Sequence, residues 1–469
     1  MSAFPGKAAL EGPTRARLLR AVRANDLRGR LGEDLAMADA GPLGLALAAE
    51  AQRLGIARLA LCYDGRLSSP ALAGDLAEGL QTGGLDIVWL GLGPTPLLYF
   101  ATHELPAVGG GVMVTASHSP ADCNGFKIVL AGERLRRRRL TALVEETARA
   151  LPARSRGQRL DCDPSRAYLD DLALQGLSAA PLRVGWDPGH GATAHLVRRL
   201  VERLPGEHHL INAQVDGRFP AHHPDPSRPD NLQDLRRLVL ARGLDLGFAF
   251  DGDGDRLGLV DGRGRFLWGD DVLLLLAGDL LRRRPGATIV ADVKSSRRLF
   301  EGVEALGGRA VMCRTGHGYV LEAMAEIDAA LGGEVSAHLF FRDRGRGYDD
   351  GLLAAVRVLA ALGRTGESLA DFLDGLPPVA NTPTLRIACP EAEKAAVMQA
   401  VEASLENAAV ERLDGLRVTV PEGWWLLRSS NTEDCLILRC EAADADGLAR
   451  LRGRVEALLR SLGLPPAEA

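Results

Sequence analysis

The chain has little lysine, no closely paired cysteines and no long hydrophobic run, and each shortage excludes something. Only four of its 56 basic residues are lysine (positions 7, 127, 294 and 394), so arginine serves almost wherever a cation is wanted. A lysine inside a motif therefore marks a place where a compact ammonium is preferred to a planar fork. The seven cysteines (62, 123, 162, 313, 389, 435 and 440) are odd in number, scattered and never spaced CxxC. That pattern argues against a disulfide framework and predicts reduced thiols in a cytoplasm. No apolar stretch approaches the roughly 18 residues of a membrane span; the run 272–278 is among the longest, and charge brackets it. Lys7 and Arg15 lead into no apolar segment of the kind that directs secretion. A net charge of −5 gives no reason to expect nucleic acid or an anionic membrane as partner.

What is present suits a globular enzyme. At 46% hydrophobic and 25% charged the composition is ordinary, so 469 residues predict about three or four domains, each with its own core. One unit recurs at 57–80, 182–204 and 287–306: an apolar strand, an aspartate, a small or polar turn, then an amphipathic helix leading to another strand. Asp64, Asp187 and Asp292 fall at the same strand-to-helix corner in each copy. Such βαβ units build mostly parallel sheets flanked by helices, and their wide spacing implies three similar domains rather than a short-period solenoid. The C-terminal part differs. Strands at 384–389, 416–420 and 436–442 with helices at 392–405 and 445–461 predict an α+β sheet with helices on one face. Linkers near 152–165, 261–265 and 376–383 set the expected domains at 1–161, 162–265, 266–376 and 377–469.

The most informative stretch is Asp251-Gly252-Asp253-Gly254-Asp255-Arg256, which follows an apolar run at 244–250. Two unit charges about 4 Å apart repel by roughly 4 kcal/mol at an effective dielectric of about 20. Three carboxylates on a loop that glycine makes flexible either splay into water or share a cation. Oxygen-only ligands suit Mg²⁺ or Ca²⁺ and disfavour zinc. An EF-hand needs Gly at its sixth position and Glu at its twelfth, where this chain has Arg256 and Gly262, so that loop is excluded. The plain alternative is an acidic turn into the strand 257–260.

A second signal spans Thr115-Ala116-Ser117-His118-Ser119 to Asn124-Gly125-Phe126-Lys127, delivered by the apolar strand 111–114 into turn-forming residues. A serine hydrolase is excluded: no G-x-S-x-G elbow surrounds Ser117, and neighbours such as Ser117 and His118 point opposite ways in extended chain. A phosphorylated Ser117 would carry about −1.5 to −2 charge, which a cation held by three carboxylates can neutralise. Phosphoryl transfer then becomes a matter of positioning and charge stabilisation.

TASHSPADCNGFK (115–127) followed by DGDGDR (251–256) resembles the α-D-phosphohexomutase superfamily, nearest the bacterial phosphomannomutase/phosphoglucomutase group, over about residues 22–442. Glu334, Ser336 and His338 resemble that family's sugar-binding loop, and their alternation would aim all three one way in extended chain; a plain β-edge is the alternative. Arg428, Ser430, Asn431 and Thr432 resemble its phosphate-binding loop, although alone they read equally as a capping turn. Arg28, Lys294 and His317 match positions near the catalytic loop or facing substrate. Asn25, Ser119, Leu321, Val335, Ala337 and Asp434 depart from the pattern, Ala337 standing where glycine is usual.

The resemblance implies three α/β domains and a C-terminal α+β domain around a central cleft. It implies that phosphorylated Ser117 exchanges its phosphoryl group with a hexose monophosphate through a hexose 1,6-bisphosphate. Asp251, Asp253, Asp255 and a Ser117 phosphate oxygen would bind Mg²⁺, with Arg256 steadying the site. Arg28, Lys127 and His338 would move protons; Glu334 and Ser336 would hold sugar hydroxyls; Arg428, Ser430, Asn431 and Thr432 would grip the idle phosphate while the last domain turns on its 376–383 linker. The expected state is a cytoplasmic monomer or weak dimer. A phosphoglucosamine mutase, a phosphosugar-binding relative without turnover and a calcium-stabilised structural protein are the alternatives.

Overall fold

The computed structural model describes residues 12–146, 153, 155–177, 179–343, 346–405, 409–430 and 434–467. The chain divides into two compact units, Met1–Leu276 with Ser336–Ala370, and Ala277–Val335 with Asp371–Ala469. Among the described residues no helix is long and apolar enough to cross a membrane. None of the seven cysteines, all among the described residues, forms a disulfide.

The first unit holds two mixed sheets. In one, strands Arg58–Tyr63, Asp86–Leu92, Gly110–Val114 and Arg159–Asp161 run parallel, while Cys123–Leu130 and Leu27–Arg30 add antiparallel at one side. In the other, Leu182–Asp187, Gly206–Leu210 and Leu246–Phe250 are parallel, and Leu257–Asp261 and Phe266–Leu267 complete it antiparallel. Phe248 and Phe250 pack on Trp186, ring centroids 4.9 and 6.3 Å away, so the strand that delivers the aspartate loop is anchored in core. Residues 261–265, expected as a linker, instead form a hairpin turn. The Asp261 carboxylate accepts from the N–H of Arg263 and Arg265 at 3.0 and 2.7 Å, and the sheet continues through Leu267.

The second unit contains the parallel strands Thr288–Asp292, Arg309–Cys313 and Leu331–Gly333, and an antiparallel C-terminal sheet. The three recurring units are all strand–helix–parallel strand, with helices Ser69–Thr82, Ala194–Val201 and Arg297–Ala305. The C-terminal sheet gains a strand the sequence concealed, Gly423–Ser429. Trp425 and Leu427 pack with helices Glu391–Ala403 and Ala445–Ser461, whereas Trp424 and Leu426 pack with Val293 and Met312. With both faces covered the strand has no polar alternation to read.

Helices Ala40–Arg53 and Ser69–Thr82 cross with their backbones nearly touching. A Cβ on Gly79 would lie 2.0 Å from the Gly41 carbonyl oxygen, and one on Gly44 2.4 Å from that of Leu76. Gly79→Ala is expected to lower the unfolding free energy by about 1–3 kcal/mol. A reduced urea midpoint with unchanged slope checks this; an unshifted midpoint contradicts it.

Candidate active site

Residues 251–256 connect Leu246–Phe250 to its antiparallel neighbour Leu257–Asp261, so the acidic loop leaves the carboxyl end of a buried strand. Asp251, Asp253 and Asp255 are at most 1% exposed, and one carboxylate oxygen from each lies within 4.8 Å of the others. Both glycines are required. Gly254 has φ +76°, a region side chains resist, and a Cβ on Gly252 would sit 2.6 Å from the carbonyl oxygen of Ser117.

Burying three carboxylates demands counter-charge, and Lys127 supplies most of it from the middle of strand Cys123–Leu130. Its Nζ donates to Asp253 Oδ2 at 2.6 Å and to Asp255 Oδ2 at 2.5 Å. Burial alone would push this ammonium down, but the two carboxylates carry it well above the usual lysine range, so Lys127 stands here as a fixed cation. Thr95, opening helix Thr95–Glu104, donates its hydroxyl to Asp253 Oδ2 at 2.5 Å. Burial would raise Asp253, yet Lys127 and Thr95 hold it well below the carboxylate range. Asp251 goes the other way: burial, then repulsion from Asp255 and Asp253, raises it well above normal. Asp253 Oδ1 and Asp255 Oδ1 are buried with no hydrogen-bond partner. Buried acceptors left open, in an all-oxygen set of acidic ligands, fit a hard divalent cation.

Ser117 lies against this loop. Its Oγ donates to Asp251 Oδ2 at 2.7 Å, and the residue is 1% exposed. Its φ is +51°, so the chain is not extended here and the sequence argument about His118 fails: His118 Nδ1 lies 3.3 Å from Ser117 Oγ. Burial, with the positive charges of Arg256 and Arg28, drives His118 well below its ordinary pKa, so its ring is neutral. Arg28, carried by strand Leu27–Arg30 beside Gly125, donates to Ser119 Oγ at 3.3 Å and pairs with Asp26. Ser119, a departure from the family pattern, thus has a partner.

Arg256 and His338 complete the cluster in this unit. Arg256 Nε donates to His338 Nε2 at 2.9 Å and lies 3.9 Å from Asp251. His338 Nδ1 faces Asp349 Oδ2 at 2.8 Å, and Asp349 in turn pairs with Arg134, whose guanidinium lies over the Tyr99 ring. Asp349 escaped the sequence reading. The available signal was two aspartates before helix Gly351–Thr365, when Asp350 alone caps it by accepting from Leu353 N–H at 2.9 Å. The sugar-loop alternation is broken at Ala337, whose φ of +67° suits the glycine it replaces.

The second unit gathers other candidates. Gly316 N–H, beside His317, donates to Glu334 Oε1 at 2.8 Å, and Lys294 Nζ lies 3.4 Å from the corner aspartate Asp292. Arg428, at the end of strand Gly423–Ser429 rather than in a loop, pairs through Nε with Asp414 at 3.1 Å. Asp414 also accepts from Thr315 N–H at 3.2 Å, and nothing in the sequence singled it out. Ser430 is buried, and its carbonyl accepts from Lys394 at 3.0 Å. Ser336 is half-buried in the first unit. Asn431 and Thr432 lie outside the described residues.

Known proteins match this chain over most of its length. Family models described as phosphoglucomutase/phosphomannomutase alpha/beta/alpha domains I, II and III match residues 19–153, 166–264 and 268–379, and that of the C-terminal domain matches 385–458. A phosphoglucomutase of Neisseria gonorrhoeae is 40% identical over 446 residues, covering 94% of this chain and 96% of its own. A phosphomannomutase/phosphoglucomutase of Pseudomonas aeruginosa is 39% identical over 453 residues, covering 94% and 97%. A crystal structure of a phosphoglucomutase/phosphomannomutase family protein from Burkholderia thailandensis superposes with TM-score 0.89 at 36% identity, covering 94% of this chain and 97% of that one. The chain belongs to the phosphoglucomutase/phosphomannomutase family, in the α-D-phosphohexomutase superfamily.

Gly252→Ala tests the fit of the acidic loop to the serine. Its methyl must displace the Ser117 carbonyl, and a shift of about 1 Å at Ser117 is expected to cost about 10²-fold in kcat. Steady-state kinetics on glucose 1-phosphate checks it; a rate within twofold of wild type contradicts it.

Proposed function

We propose that this protein interconverts hexose 1-phosphates and hexose 6-phosphates of glucose, mannose or both, with Ser117 carrying the phosphoryl group. The observation behind the reading is the buried Ser117 Oγ hydrogen-bonded to Asp251 beside two carboxylates with open oxygens. The family makes the protein an isomerase that acts by phosphoryl transfer.

In the proposed cycle, phosphorylated Ser117 gives its phosphoryl group to the free C6 or C1 hydroxyl of the bound sugar monophosphate. The serine P–O bond breaks, a sugar P–O bond forms, the sugar hydroxyl proton passes to a protein base, and the freed Ser117 Oγ takes up a proton. The hexose 1,6-bisphosphate turns over in the site, and Ser117 Oγ takes the other phosphoryl group as that sugar P–O bond breaks; Ser117 gives up its proton, and the freed sugar oxygen takes one from the protein base. His338 is proposed as the base for the sugar hydroxyl, which would take the place of Arg256 Nε as the donor to Nε2. Lys127 and Arg28 keep positive charge near the moving phosphoryl group, and Arg256 steadies both Asp251 and His338. Asp251, Asp253 and Asp255, with a Ser117 phosphate oxygen, would hold Mg²⁺, which when bound supplies charge neutralisation at the phosphoryl group. Glu334 and Ser336 would bind sugar hydroxyls, with Lys294 and His317 facing the substrate. Arg428, Ser430, Asn431 and Thr432 would hold the phosphate that is not reacting. Domain limits at 161 and 376 and a cytoplasmic location belong to the same proposal.

The tests separate this reading from its rivals. Intact mass is expected to show one phosphate on Ser117 that is lost when a sugar monophosphate is added. Ser117→Ala is expected to lower mutase kcat by about 10³-fold or more with the fold retained. Wild-type turnover in Ser117→Ala contradicts the proposal. Rates on glucose-, mannose- and glucosamine-1-phosphate distinguish a glucosamine enzyme, and phosphosugar binding without turnover marks a binding protein. Chelation is expected to abolish activity and added Mg²⁺ to restore it, whereas melting that responds to Ca²⁺ alone marks a structural ion.

A further inference from the structure

Ser117 is held in a left-handed conformation that serine does not choose by itself, at φ +51°. Something must pay for that, and both backbone groups of the residue lead to the same pair. Ser117 N–H donates to Thr115 Oγ1 at 2.8 Å, and the Thr115 hydroxyl donates to Asp64 Oδ2 at 2.7 Å. Asp64 Oδ2 also accepts from Arg66 Nε at 3.1 Å, and Arg66 Nη2 donates to the Ser117 carbonyl at 2.8 Å. The ring is closed: amide, threonine, aspartate, arginine, carbonyl.

The arginine does more than close it. Arg66 is 1% exposed, yet each nitrogen of its guanidinium has a partner. Nη2 also reaches the Ser119 carbonyl at 2.6 Å, and Nη1 reaches those of Cys123, at 3.1 Å, and Pro120. Its guanidinium lies 5.2 Å from the Phe219 ring centroid. Arg66 thus ties together carbonyls spanning the serine loop. Asp64 Oδ1 is fixed in turn by Arg66 N–H at 3.0 Å and Ser69 Oγ at 2.5 Å, and Asn124 Nδ2 donates to the Ser69 and Ser68 hydroxyls at 2.9 and 2.7 Å. At the corresponding corner Asp187 accepts from Gly189 N–H at 2.9 Å and from Asn212 Nδ2 at 3.0 Å and pairs with His222 at 3.0 Å. A fully buried arginine spent on neighbouring carbonyls goes beyond those contacts.

We propose that Asp64 and Arg66, acting through Thr115, are positioning residues that lock Ser117 in its left-handed conformation with Oγ aimed at Asp251, a role in catalysis that rests on Ser117 being the phosphoryl carrier. Neither side chain touches the acidic loop's carboxylates, so their effect falls on the orientation of the nucleophile rather than on substrate affinity. The planar fork is essential to the device, because an ammonium cannot bridge these carbonyls at once.

The test uses the full-length protein. Thr115→Val keeps the shape of the side chain but removes the acceptor for the Ser117 amide. It is expected to lower kcat by about 10²-fold with KM for glucose 1-phosphate within twofold. Arg66→Lys is expected to be as impaired as Arg66→Gln, a failure of conservative rescue that a purely charge-based role would not produce. Crystal structures of Thr115→Val and of any soluble Arg66 variant are expected to show Ser117 out of the left-handed region, with its Oγ no longer hydrogen-bonded to Asp251. Wild-type kcat in Thr115→Val, or an unmoved Ser117 in its structure, overturns the proposal. If the Arg66 variants do not fold, Thr115→Val decides alone. Should Ser117→Ala retain activity, the carrier reading fails, while the conformation of Ser117 in Thr115→Val still judges the ring.

Discussion

Three carboxylates buried around one point are the constraint on which the first unit depends. At about 4 Å and an effective dielectric of about 20, each ionised pair costs roughly 4 kcal/mol, and desolvation adds to it. The fold meets this cost with Lys127 between Asp253 and Asp255, Thr95 on Asp253 and Arg256 near Asp251. Asp251 is the residue left with excess, and its elevated pKa is the direct expression of it. A structure that only needed a turn between Leu246–Phe250 and Leu257–Asp261 would not carry this load.

The two chemical groups arrive from different sheets by the same route. Ser117 follows the strand Gly110–Val114, and Asp251 follows Leu246–Phe250, each leaving the carboxyl end of a parallel-paired strand. Ligand sites in open α/β sheets form at such ends. Antiparallel additions then bring in what the parallel strands cannot. Cys123–Leu130 supplies Lys127 beside Met113, and Leu27–Arg30 supplies Arg28 beside Gly125. The chemistry therefore follows from topology, with glycine at 252 admitting the serine's backbone where the two loops meet.

Much of this was legible in the residues. The apolar runs before the motifs, the corner aspartates and the alternation of Asp with Gly led to the right strands and to the right cluster. Other features had no local signature. Gly423–Ser429 buries both faces, so its periodicity vanished and Arg428 was assigned to a loop. The left-handed backbone of Ser117 falls on a residue type that does not announce it, which is why His118 was expected to point away. Asp414 and Arg66 are charged residues whose meaning lies in carbonyls, amides and a guanidinium distant in sequence. The rarity of lysine drew attention to Lys127, but its place as counter-ion to two aspartates emerges only from packing.

The central claim is that the open oxygens at Asp253 and Asp255, with Asp251, mark a divalent-cation site in bonding reach of a phosphoryl group on Ser117. Pulsed electron–nuclear double resonance on Mn²⁺-loaded protein carrying the serine phosphate addresses it most directly. The account predicts a strong phosphorus-31 coupling to the bound Mn²⁺ that disappears on removal of that phosphate. Tightly bound Mn²⁺ with no phosphorus coupling, or stoichiometric binding undiminished in Asp253→Asn with Asp255→Asn, would contradict it.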